Sequence, residues 1–265
     1  MLKTFNAHPR DLLISFDSEP HLYYYKNNKA FHSSVTTFVK EHFPKFDTKK
    51  NDIVENLVKK NFENSKSKYY KMNAQQIKDL WSKEGLEAAN AGTKLHYNIE
   101  QFYNEAHINE EVKNTKEWEY FENFLQTNKH LIAYRTEWEI YDTELDLAGS
   151  IDMVFKDTEN KFHIYDWKRS KEIKFNAFNN ESGNEPLSHI QNSNYWHYAL
   201  QLNIYKYILE KHYNINIETM HIVVFHHNFN NYMDYTLPDL SSDVETLVES
   251  RKRIFLQIQQ EQSGL

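Results

Sequence analysis

The segment "HIYDWKRS" (residues 163–170) reads as the end of a β-strand, yet it closes on charge. Asp166 and Lys168 stand two residues apart around Trp167. Strand side chains alternate between faces, so the carboxylate and the ammonium share one face and Trp167 takes the other. Upstream, "LAGSIDMVF" (147–155) carries Asp152 in step with Ser150 and Val154. A hairpin around "KDTENK" (156–161) would bring the two runs together. With Asp152 opposite Asp166, or slipped by two residues, all three charges share a face; a one-residue slip separates them. Val154, Phe162 and Ile164 flank these charges, and carboxylates in apolar surroundings are costly unless they hold a cation. Two Asp oxygens with a backbone carbonyl, such as that of Trp167, suit Mg²⁺ or Mn²⁺, which keep waters in their remaining positions. Such an ion polarises a phosphoryl oxygen and makes a bound water a better nucleophile. A lysine two residues on can orient or deprotonate that water and offset charge in the transition state. The alternative is a surface Asp166–Lys168 pair on a half-exposed sheet, worth well under about 1 kcal/mol.

The elements that must position these residues are readable along the 265-residue chain. With 40% hydrophobic and 26% charged residues the composition is that of an ordinary globular protein. The 18 Tyr and 17 Phe must supply much of the core, and with only 5 Gly and 5 Pro the helices should be long. "HLYYYKNNKAFHS" (21–33) predicts a hairpin turning at Asn27-Asn28, and "SSVTTFVKEHF" (33–43) a helix capped by Ser33 or Ser34. Helical spacing covers 51–64 and 74–90, is broken at Gly92, and resumes with Leu95, Ile99 and Phe102. Residues 114–128 form a helix with Trp118, Phe121 and Phe124 on one side. Three short aromatic and β-branched runs (133–142, 147–155, 161–168) predict a meander. A polar loop (175–193), an aromatic helix (194–213), a strand (219–229) and a last helix (240–261) follow. This order predicts an α/β fold, a mixed sheet flanked by helices with an N-terminal helical elaboration. Residues 1–90 would form the N-terminal hairpin and helical region, packed on a core of residues 91–265.

Charge and composition restrict the partners. The net charge of −7 argues against a nucleic-acid partner, but its distribution is uneven. Residues 49–71 carry seven Lys (49, 50, 59, 60, 66, 68 and 71) against three acidic residues, and residues 161–174 carry five basic residues against two acidic ones. Either run could be a solvated surface; together they keep a polyanion open. The absence of cysteine excludes disulfides, zinc–thiolate sites, iron–sulfur clusters and Cys nucleophiles. The first residues lack the basic start and apolar run of a signal peptide, and no stretch approaches a membrane span. An intracellular, soluble location without a membrane partner is therefore expected.

"GSID" (149–152), "DWK" (166–168) and "QLNIY" (201–205) together resemble the PD-(D/E)XK nuclease superfamily. Its metal-binding core places an Asp in one strand and (Asp/Glu)-x-Lys in the next. Gln-x-x-x-Tyr on the following helix is similar to the RecB-type branch, as is "GTKLH" (92–96) with its helical His96. "SSVTTFV" (33–39) and "IYDWKRS" (164–170) resemble segments of the mitochondrial genome maintenance exonuclease group and its phage and viral relatives. The likeness spans roughly residues 30–230. Ile151-Asp152 stands where the name-giving Pro-Asp would be.

The resemblance implies a restriction-endonuclease-like core that hydrolyses phosphodiester bonds in DNA with Mg²⁺ or Mn²⁺. Asp152, Asp166, His96 and the Trp167 carbonyl would bind the metal, and Lys168 would be the catalytic lysine. Glu137 matches an acidic position ahead of the Gly-x-x-Asp strand. Gln201 and Tyr205, one helical turn apart, would share a face and fix the active site or the DNA strand. Ser34, Thr36 and Thr37 would bind phosphate at a helix start or simply cap the helix. Gly92 would start the His96 helix, and Gly149 would let a phosphate or backbone come close. His189, His226 and His227 are expected to be structural or exposed. The expected activity is an exonuclease on DNA ends or single strands. A structure-specific or restriction-type endonuclease, an inactive DNA-binding module and an α/β protein with surface ion pairs remain alternatives.

Overall fold

A computed structural model describes residues 1–45 and 52–263, so Lys49 and Lys50 of the first basic run lie outside the described residues. The chain forms two compact units, one of Met1–Pro44 with His96–Leu265 and one of Lys45–Leu95. The elements in chain order are α1 (Leu2–Phe5), β1 (Ile14–Asp17), β2 (Leu22–Tyr25), β3 (Lys29–Ala30), β4 (Ser33–Ser34) and α2 (Val35–Glu41). Then come α3 (Ile53–Asn61), α4 (Ala74–Tyr103), α5 (Glu110–Lys113) and α6 (Lys116–Thr127). The strands β5 (Ile132–Asp142), β6 (Leu147–Lys156) and β7 (Phe162–Lys168) follow, then α7 (Asn194–His212), β8 (Ile217–Val224), β9 (Met233–Thr236) and α8 (Ser241–Ser263).

The predicted meander is present. β5 pairs antiparallel with β6, and β6 with β7. β7 runs parallel to β8, and β9 closes that side antiparallel. β4 adds a short parallel pairing to β6, a second parallel pair in this mixed sheet. One core cluster joins this sheet to α2, α7 and α8 through residues such as Val35, Ile164, Leu202, Ile222 and Val244. α7 buries Ala199, Leu200, Leu202, Ile204, Tyr205, Ile208 and Leu209, positions too widely spread for a single stripe, so it is a core helix rather than a surface one. Aromatic rings pack around Trp167, whose ring centroid lies 5.3 Å from Phe124, 6.0 Å from Phe225 and 6.3 Å from both Phe121 and Phe155. Trp118, Phe121 and Phe124 of α6 are all buried, as their spacing predicts. Strands β1–β3 form a small separate sheet whose Ile14 and Tyr23, with Phe31 just past β3, cluster with Tyr141 and Ala148 of β5 and β6.

Two local expectations are corrected. Gly92 does not break the helix: α4 runs unbroken through Gly85 and Gly92. Neither glycine has a positive φ, and a Cβ at either would meet nothing within 4 Å. A helix tolerates such a residue at a cost of roughly 1 kcal/mol against alanine, which the helix formers around it offset. The β2–β3 turn is centred one residue earlier, with Lys26 and Asn27 left-handed (φ 51 and 59) and Asn28 N–H donating to the Tyr25 carbonyl. The 175–193 loop holds a short 3-10 turn (Phe178–Asn180) and a Ser182–Gln191 bridge. β1 and β9 were not legible as strands, because four-residue runs carry too little alternation.

The unit of residues 45–95 contains α3 and most of α4. Within it, Trp81 Nε1 donates to the Tyr69 hydroxyl at 3.0 Å, and Lys68 of the basic run is paired with Glu84 at 2.9 Å.

Candidate metal centre and active site

The β6–β7 register settles the question left open by spacing. Met153 pairs with Tyr165, Val154 with Ile164 and Phe155 with His163, so the next step sets Asp152 across from Asp166. The ladder stops there. The Asp152 Oδ2 instead accepts the Trp167 N–H at 2.8 Å, so a side chain takes the place of a strand. At the other end of the same β6 edge, Leu147 and Ala148 pair with Ser33 and Ser34. Among the described residues, Gly149–Ile151 are thus paired to β5 on one side only.

Side chains from α7 close this opening. A Cβ on Gly149 would lie 2.7 Å from a ring carbon of Tyr205, so the close approach predicted for Gly149 is made by a tyrosine ring, not by a phosphate or backbone. Gln201 Nε2 donates to the Tyr205 hydroxyl at 3.0 Å and to Thr36 Oγ1 at 3.3 Å. The Gln-x-x-x-Tyr pair therefore links α7, the glycine of β6 and the first turn of α2. Ser34 caps α2, accepting the Thr37 N–H at 3.1 Å and donating to the Thr37 hydroxyl at 3.0 Å.

Glu137 reaches the same level from β5, between the pairs Thr136–Met153 and Trp138–Ile151, and so faces Asp152. Its φ of 41 is left-handed, an uncommon and strained state for a side-chain-bearing residue in a strand. The consequence is a change of face. Trp138 belongs to the cluster shared with α7, whereas Thr136, two residues earlier, hydrogen-bonds Asn104 beyond the end of α4. His96 approaches from α4, its Nδ1 3.4 Å from Asp152 Oδ2 and 4.0 Å from Glu137 Oε1. One ligand atom from each of His96, Glu137 and Asp152 lies within 4.8 Å of the others. An oxygen-rich set with one imidazole is compatible with a divalent cation.

The electrostatics point the same way. Burial, then the charges of Asp152 and Glu100, push the Glu137 carboxyl well above the usual range, against a hydrogen bond from the Ser150 hydroxyl at 3.2 Å. Burial also raises the Asp166 carboxyl; Lys168 opposes this and Asp152 adds to it. The Lys168 ammonium sits directly on Asp166 Oδ2. Burial disfavours that ammonium, but Asp166 and Asp152 outweigh it and hold its pKa above the ordinary lysine value. These carboxylates are under-compensated, the condition in which a bound cation is most favourable.

A cavity of about 350 Å³ adjoins Lys168, lined also by Thr36, Val39, Lys40, Asn194, His197, Tyr198 and Gln201. Lys168 Nζ lies 4.9 Å from the Tyr198 ring centroid, a cation–π contact.

Of the residues singled out from sequence, His96, Glu137 and Asp152 form the metal-compatible group, and Asp166 joins Lys168 beside it. Trp167 contributes its N–H to Asp152 and its ring to the aromatic core. His226 is buried and His227 half-exposed against Glu117, while His189 pairs with Asp243. From sequence, Glu100 stands only as a hydrogen-bonding i, i+4 partner of His96 on one helix face, and Lys40, His197 and Tyr198 go unmarked. The other three are brought to Lys168 only by the packing of α2 and α7. Within the second basic run, Lys161 pairs with Glu159 and Glu218, and Arg169 with Glu117.

The sequence matches the PD-(D/E)XK nuclease superfamily over residues 30–255, and the chain belongs to that superfamily. The mixed sheet flanked by helices is its restriction-endonuclease-like core, with extra N-terminal elements. Among solved structures, that of SSO0001 aligns with 84% of this chain and 84% of its own at 18% identity, with a TM-score of 0.32. No curated protein matches the chain. Among the described residues no helix is long and apolar enough to cross a membrane.

Proposed function

We propose that this protein is a metal-dependent deoxyribonuclease of the RecB-type branch, akin to the mitochondrial genome maintenance exonuclease group, acting on DNA ends or single strands. The observation that carries the reading is the meeting of Glu137, Asp152 and Asp166 from three neighbouring strands with His96 and Lys168, at the opening in β6. His96, Glu137 and Asp152 would hold Mg²⁺ or Mn²⁺, with Asp166 and the Trp167 carbonyl as further ligands. The ion, when bound, would supply Lewis-acid polarisation of the phosphate and activation of water. Lys168, held as an ammonium by Asp166 and Asp152, suits stabilisation of charge growing on the phosphate better than proton abstraction. Gln201 and Tyr205 would position the strand edge, and Thr36 would take part through its bond to Gln201. Ser34 and Thr37, engaged in capping, would meet phosphate through whatever hydrogen-bonding capacity remains. The family motifs "GSID", "DWK" and "QLNIY" support the branch, and the exonuclease preference rests on that likeness.

Digestion of end-labelled single-stranded, linear duplex and closed circular DNA with Mn²⁺ tests the reading. Linear substrates should be degraded and circles spared, with activity lost in EDTA. Lys168→Ala should lower the rate by about 100-fold or more, the scale of losing one key electrostatic group. Cleavage of circles would assign an endonuclease. Full activity in Lys168→Ala would overturn the mechanism.

A further inference from the structure

We infer that the segment just beyond β7, Lys171–Phe178, is a grip for single-stranded DNA that leads into the cavity beside Lys168. This rests on the nuclease reading and names the form of substrate the site receives. Phe175 and Phe178, three residues apart, are 44% and 72% exposed. Two exposed phenylalanines on a polar loop need a reason, and here two lysines lead into them: Lys171 and Lys174 are exposed on the same segment. Among the described residues Lys174 pairs loosely with Glu172, solvent-exposed and 3.7 Å away, a contact that a phosphate can displace at little cost.

The segment is held in place, so its rings are presented on a fixed backbone. Lys174 N–H donates to Asn194 Oδ1 at 2.8 Å, and Asn194 Nδ2 donates to the Glu172 carbonyl at 3.1 Å. The Ser193 hydroxyl donates to the Phe175 carbonyl at 3.2 Å, and Ala177 N–H to Gln191 Oε1 at 3.2 Å. The Phe175 ring rests 4.4 Å from that of Tyr195, on the first turn of α7. Asn194, which anchors the segment, also lines the cavity with Lys168. Platform and cavity are therefore continuous through α7. A pair of exposed aromatic rings beside two ammonium groups suits a strand whose bases are free to stack, whereas a duplex keeps its base faces stacked on one another. Stacking would hold bases on Phe175 and Phe178, and Lys171 and Lys174 would follow the phosphates toward Lys168.

The test is anisotropy with a labelled oligothymidylate and with a blunt duplex, in EDTA so that nothing is cut. Phe178→Ala should weaken single-strand binding by about tenfold, the loss of one stacked base. Phe178→Tyr should restore it and Phe178→Leu should not; duplex binding should be unaffected by all three. Lys171→Ala and Lys174→Ala should each reduce the salt slope by about one unit or less. Among the described residues Phe178 makes no contact with another aromatic ring and its side chain is largely exposed, so these variants should melt as the parent does. A chain that cleaves DNA but binds the oligothymidylate equally well as Phe178→Ala, or tolerates Phe178→Leu, overturns the grip and leaves the nuclease reading standing. A chain that neither binds nor cleaves any DNA overturns both. Loss of a dimer in Phe178→Ala with DNA affinity unchanged would give the surface to a second copy and overturn the grip.

Discussion

Strand β5 carries two carboxylates with opposite fates, Asp142 fully buried and Glu137 half-buried. Asp142, at the hairpin end, is fully buried and saturated with donors. It accepts His212 Nε2 at 2.7 Å, Lys211 Nζ at 3.3 Å, and the N–H groups of Glu144 and Leu145 at 2.8 and 3.1 Å. Burial alone would raise its pKa, but His212, the Leu145 N–H and Lys211 together hold it at about 2. Glu137, on the same strand, has one hydrogen bond from Ser150 and three acidic neighbours, and its pKa rises. Desolvation raises both carboxyls; the number of compensating donors is what differs. A carboxylate that holds a turn together is closed to further ligands. A carboxylate left among like charges is open to a cation.

The strongest way to break this contrast is Asp142→Ala. It should cost about 3–5 kcal/mol of stability, because Lys211 and His212 lose their buried partner, yet leave cleavage per folded molecule unchanged. Urea denaturation alongside nuclease assays checks this, and a stable variant would show that Asp142 is not the anchor. A smaller effect sharpens the other side. Mn²⁺ at 100 times its Kd should stabilise the protein by about 2.7 kcal/mol, read as a thermal shift. Asp152→Asn and His96→Ala should lose that shift and Asp142→Asn should keep it. The smallest effect is an acid limb. The folded pKa of Asp142 lies below the ordinary 3.8, so its contribution is fully present above that value and fades as pH falls through about 2. Wild-type urea midpoints should therefore drop across that window by more than those of Asp142→Asn; parallel curves would contradict the saturated geometry.

Much of the site was legible in sequence because its chemistry is local. Asp-x-Lys in a strand places both charges on one face, and Gln-x-x-x-Tyr in a helix does the same for its pair. The α/β class and mixed sheet followed from the order of helices and aromatic strands. Gly92 misled because a glycine marks a break only where the backbone needs left-handed φ or close approach, and neither holds there. Gly149 was rightly marked as a close approach, but which group approaches depends on how α7 packs.

By itself, the sequence determined the fold class, the strand-borne Asp152, Asp166 and Lys168, and the family they belong to, since these depend on residue type and short-range periodicity. The tertiary structure alone decided three things. It set the β6–β7 register, in which Asp152 faces Asp166 rather than slipping by one. It turned Glu137 through a left-handed φ into a group with His96 and Asp152. It joined α2 and α7 to Lys168 around one cavity. Each depends on contacts between residues far apart in the chain, where packing and burial, not local propensity, choose among conformations that the sequence pattern leaves equally open.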